Sequence, residues 1–205
     1  MIVLFAIVFI PALLYSIYRA YLAATSAVAA VAPQEAARFF TLSSIRDPTR
    51  RMASRIFHIS IITVLAGHFF IFVDHVPQWL SAIGTTLGAV ALGALLVSFF
   101  KNWPPPDRQY IAVVFLTAAV IATGLVLGAY TSREEAVAAA RGAGWVEGVG
   151  GYILAAHVIS AAALAASLPF TLINHVTAPL VYLLIRQRSS LPVESLTTSG
   201  SSRRT

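Results

Sequence analysis

Five apolar stretches, at about residues 2–24, 53–73, 81–100, 109–130 and 150–176, constrain this 205-residue chain more than any other feature. A helix rising about 1.5 Å per residue needs about 20 apolar residues to cross the hydrocarbon core of a bilayer, and each stretch meets or approaches that length. With 58% hydrophobic and 11% charged residues, the sequence leaves no room for a separate soluble domain. The expected fold is an all-α membrane protein, a bundle of five transmembrane helices over residues 1–186. Residues 187–205, rich in Ser, Thr and Arg, read as a disordered cytoplasmic tail. The first stretch lacks a basic leading segment and continues past Pro11 to Arg19, so it reads as a retained span rather than a cleaved signal peptide.

The connections carry the polar residues. Residues 25–52 hold Arg38, Arg46, Arg50 and Arg51; Asp74, His75, Pro77 and Trp79 mark a short turn; three consecutive prolines, Pro104 to Pro106, cannot continue a helix. Residues 131–149 read as a polar connection containing Glu134, Glu135, Arg141 and several glycines. Twelve of the 14 Lys and Arg residues fall on one side of the spans, leaving only Arg133 and Arg141 on the other. The positive-inside rule then puts the N-terminus outside and the C-terminus in the cytoplasm of a multi-pass cell-membrane protein. Basic residues that flank apolar spans are explained by orientation, and no nucleic-acid partner is expected.

Four histidines lie within the apolar stretches: His58 and His68 in the second, His157 and His175 in the fifth. An ionisable ring in hydrocarbon is costly unless paired or bound, and neutral imidazole is a common axial ligand of haem iron. Spans two and five are antiparallel, so the layer-matched pairs are His58 with His175 toward the cytoplasm and His68 with His157 toward the outside. Two stacked bis-histidine haems are the expectation. Along ideal helices the first two histidines stand roughly 15 Å apart and the last two roughly 27 Å. Tilted haems and a fifth helix bent at Pro169 would reconcile the two intervals. Gly67, just before His68, either lets a porphyrin lie flat or serves helix packing. The chain has no cysteine, which excludes covalently attached c-type haem, thiolate-held iron–sulfur clusters and disulfides within it. Any haem would be b-type.

The segment Ala53-Ser54-Arg55-Ile56-Phe57-His58-Ile59-Ser60-Ile61, with Gly67-His68-Phe69-Phe70, closely resembles the second transmembrane helix of the respiratory nitrate reductase gamma subunit, a dihaem cytochrome b. His157-Val158-Ile159, Leu168-Pro169-Phe170 and Leu172-Ile173-Asn174-His175 are similar to that family's fifth helix. The resemblance implies that these four histidines ligate two b haems. It also implies that a membrane quinol, menaquinol or ubiquinol, is oxidised near the outer haem, with electrons passing inward to an iron–sulfur subunit and then a molybdenum subunit. The family carries a lysine in the outer connection between spans two and three, whereas residues 74–86 hold no Lys or Arg. His75 and Asp74 are the candidate proton acceptors in its place, against the plainer reading of a solvated turn.

Two alternatives stay open from the sequence. The same dihaem subunit would serve a heterodisulfide- or sulfur-compound reductase equally well. A haem-free transporter or membrane anchor with a histidine proton relay would need no haem, its buried imidazoles bonded to neighbouring helices.

Overall fold

The computed structural model describes residues 2–26, 45–73, 77–142, 144, 146–167 and 170, and every regular element among them is helical. Helix α1 spans Ile2–Ser26 with Pro11 inside it, α2 spans Pro48–Gly67, α3 spans Gln78–Phe100 and α4 spans Arg108–Tyr130. A short α5, Arg133–Arg141, precedes α6, Gly148–Ser167. Four segments are long and apolar enough to cross a membrane: Pro48–Phe70, Gln78–Phe100, Arg108–Tyr130 and Gly148–Ser167. Within α1 the apolar stretch is the shorter Ala6–Arg19. The protein is thus an all-α, multi-pass membrane protein with at least these four candidate spans.

Local chemistry sets the boundaries. Helix α2 begins at Pro48, five residues before the expected 53. Asp47 caps it by accepting a 2.9 Å bond from the Arg50 amide, and proline suits the first helical turn, where no amide partner is needed. The Arg51 side chain reaches back to the Ile45 carbonyl at 2.8 Å and fixes the approach. At the other end the α-helix stops at Gly67, and the chain tightens into a 3₁₀ turn, His68–Phe72, closed by the Val73 amide on the Phe70 carbonyl at 3.1 Å. The connection expected over 131–149 contains a helix. Ser132 and Glu135 form a reciprocal capping box at the start of α5, and Gly142, at φ 81°, ends it in the left-handed conformation.

Helix α2 packs on α3, α3 on α4, α4 on α6, and α1 on α6. Fully buried Ala91 centres the first contact layer with Leu95, Phe99, Val114 and Ile121; Phe57 and Ile61 of α2 lie against it. Small residues bring α3 and α4 together, since a Cβ on Gly88 would lie 3.2 Å from Leu125 Cδ2. A second layer, Ala139, Val146 and Leu154 with Leu127 and Val158 beside it, joins α5 to α4 and α6. Only 17–22% of each candidate span is buried inside the protein, so most apolar side chains point outward, as lipid-facing helices require. Hydroxyls within the spans bond back to their own helices: Thr63 to the Ile59 carbonyl, Thr86 to Ala82, Thr117 to Val113.

Two outcomes follow from this packing. Ala91→Leu should overpack the α2–α3–α4 layer and cost about 1–3 kcal/mol, measured by denaturant titration in mixed micelles. The Arg50 amide, then the Lys101 and Arg50 charges, hold the Asp47 carboxyl below its ordinary value of 3.8. Its cap is therefore present above the ordinary carboxylate range and is lost only as pH falls through the lowered value. Hydrogen exchange at the Arg50 amide should accelerate only in that acid range.

Candidate functional site

Helix α2 carries His58, the 3₁₀ turn that follows it carries His68 and α6 carries His157; among the described residues α2 and α6 do not pack extensively on one another. They are joined to the same bundle through α3 and α4. Across the resulting slot the rings of His68 and His157 face each other, their centroids 6.3 Å apart and their planes within 11° of parallel. Among the described residues no hydrogen bond links the two rings.

Each ring is held by its Nδ1. His68 Nδ1 lies 2.8 Å from the Val64 carbonyl, one turn back on its own helix. His157 Nδ1 instead reaches across to α4, 3.0 Å from the Val120 carbonyl and 3.1 Å from Thr123 Oγ1. A carbonyl oxygen can only accept, so each Nδ1 carries the proton and donates it. The lone pair then sits on Nε2, the arrangement that metal-bound imidazoles use. Thr123 gives its own proton to the Ala119 carbonyl at 2.7 Å, which leaves its oxygen free to accept from His157. Gly124 makes the approach possible, because a Cβ there would sit 3.1 Å from His157 Cε1.

Two neutral imidazoles with free Nε2 atoms are nitrogen donors that could hold a metal. Their 6.3 Å separation exceeds by about 1 Å what a direct N–H···N bond of about 2.9 Å between the rings would give. A Cβ on Gly67 would meet nothing within 4 Å, so the space beside His68 is open, and the packing reading of that glycine has no neighbour among the described residues.

His58 lies half-buried on α2 with the same tether, Nδ1 2.7 Å from the Ser54 carbonyl, and its ring stands edge-on to Phe57 at 5.2 Å. His175, expected opposite it, falls outside the described residues, as do Pro169, His75 and Asp74. The sequence reading did not single out Thr123 and Gly124. Their signal was a hydroxyl and a side-chain-free position adjacent in the middle of an apolar span, where a polar group needs a stated partner.

Comparison with known proteins returned no match to any protein-family model, any curated protein or any solved structure.

Thr123→Val keeps the shape of the side chain and removes the acceptor. Because the Val120 carbonyl retains its share of the His157 proton, any porphyrin held by this pair should bind only about tenfold more weakly, the lower end for loss of an outer partner. Haem transfer to apomyoglobin measures it.

Proposed function

We propose that this protein is the membrane cytochrome b subunit of a quinol-oxidising respiratory complex of the nitrate reductase type. The observation that carries the reading is the pair of parallel imidazoles, His68 and His157, 6.3 Å apart across the α2–α6 slot with both Nδ1 atoms committed to protein acceptors. The resemblance of the two histidine segments supports a second pair, His58 with His175. Residues 2–24 complete a set of five spans, with the N-terminus outside and residues 187–205 in the cytoplasm.

In this reading each pair holds one haem b, which when bound supplies one-electron transfer between ferric and ferrous iron. The chain's own contribution is placement. His68 and His157 hold the outer site with fixed tautomers, and α3 and α4 set the width of the slot. A membrane quinol, menaquinol or ubiquinol, gives up two electrons and two protons near the outer pair. The electrons leave singly toward His58 and His175 and then to a cytoplasmic iron–sulfur subunit that feeds a molybdenum-containing subunit. His75 and Asp74 are proposed to accept the quinol protons and release them outside.

A haem-free transporter or membrane anchor with a histidine proton relay is the alternative of another class, and it predicts a folded protein without a Soret band. The terminal reductase belongs to a separate subunit. A heterodisulfide- or sulfur-compound reductase as partner would leave the haem sites unchanged and would appear as failure of nitrate to reoxidise the reduced cytochrome in its native complex.

The test is a dithionite-reduced minus oxidised spectrum with haem quantified per polypeptide. The wild type should carry two b haems, and His68→Ala and His175→Ala should each lose one. A folded wild type without haem overturns the reading.

A further inference from the structure

We propose that Arg133 is a positioning residue for the outer pair: its guanidinium bond to the Phe70 carbonyl ties α5 to the 3₁₀ turn that begins at His68, and so fixes the slot between His68 and His157. This inference rests on the haem reading above.

The bond joins residues 63 apart in sequence, with Arg133 Nη2 donating to the Phe70 oxygen at 2.8 Å. Phe70 lies two residues after His68, in the turn where the α-helix has already given way to 3₁₀ geometry. Hydrogen bonds in such turns are poorly aligned, and among the described residues the Phe70 carbonyl accepts the 3.1 Å Val73 amide from its own segment. A charged donor from outside stabilises a carbonyl that the turn alone bonds weakly.

The other end of the tie is equally well anchored. Arg133 is the first residue of α5, directly after the capping-box residue Ser132. Glu135 Oε2 accepts from both the Ser132 amide and hydroxyl at 3.0 Å, so the start of the helix is held from two sides. Ala139 of the same helix is buried with Val146 and Leu154, and Val158, adjacent to His157, packs against that cluster. A continuous path therefore runs from the neighbourhood of His157 through α5 and Arg133 to the turn that holds His68.

Helix stability does not account for an arginine at this position. A cation in the first turn opposes the helix dipole, and the first turn of α5 otherwise carries the favourable Glu134 and Glu135. The cost is offset by what the guanidinium reaches.

The experiment compares wild type, Arg133→Gln, Arg133→Lys and Glu135→Ala in the full chain with its native partners in membranes. Haem per polypeptide, the low-spin electron paramagnetic resonance signal of each haem and a redox titration of each are recorded. Arg133→Gln should reduce outer-haem occupancy about tenfold, or broaden and shift its resonance signal, with the His58–His175 haem unchanged. Glu135→Ala keeps the Arg133 charge, removes a carboxylate and loosens α5; its electrostatic effect opposes that of Arg133→Gln, so a shift of the same signal in the same direction reports position. Arg133→Lys retains the charge without the planar fork and should restore the resonance signal only in part. Unaltered outer-haem spectra in both Arg133→Gln and Glu135→Ala overturn the inference. So does a changed potential with an unchanged resonance signal that Arg133→Lys fully reverses, since that is charge alone. A wild type without haem overturns the parent reading instead. Should Arg133→Gln fail to fold, Arg133→Lys and Glu135→Ala carry the same decision.

Discussion

The separation between α2 and α6 is the constraint on which the site depends, and it is set by the two helices that lie between them. Helix α3 holds α2 through the layer around Ala91, and α4 holds α6 through the approach of His157 to Gly124. Each contact is made by a small residue against a larger one, which fixes interhelical distance by van der Waals contact rather than by charge. In a bilayer no hydrophobic drive brings helices together, so this steric fit must do the work of association. A slot of defined width between two unpacked helices is the product.

Within that slot the polar groups follow one rule. Every described histidine in the spans commits Nδ1 to a carbonyl: His58 to Ser54, His68 to Val64, His157 to Val120. The first two bonds lie within a single helix and hold the ring against its own backbone. The third crosses to α4, so the orientation of the His157 ring depends on tertiary packing, whereas that of His68 is largely a local property. The two faces of the site thus have different mechanical origins. One is supported by helix geometry, the other by the fit of α6 against α4.

Much of this was legible in the sequence. Span positions follow from apolar length, and α2, α3, α4 and α6 fall on four of the stretches read from hydropathy. The proximity of His68 and His157 follows from antiparallel spans and the charge asymmetry of the connections. Three features were missed for identifiable reasons. Helix α2 starts at Pro48 because Asp47 caps it, a signal of local chemistry that a search for apolar residues passes over. Helix α5 was hidden in a polar connection although Ser132, Glu135 and Gly142 spell its two ends. The tie from Arg133 to Phe70 has no local signature, since it joins segments brought together only by the fold. The expected partnership of His58 with His175 falls outside the described residues, since His175 does.

The slot has a bearing on the order of events during biogenesis. The segments that face one another across it are about 90 residues apart in the chain, whereas α3 follows α2, and α4 follows α3, after short connections. Helices emerge from the ribosome in sequence, and contacts between distant segments form after those between neighbours. When α2, α3 and α4 have already inserted, His68 still faces lipid with no opposing ring. The pairing of the two rings comes into being only with the arrival of α6, which makes it a closing step of assembly.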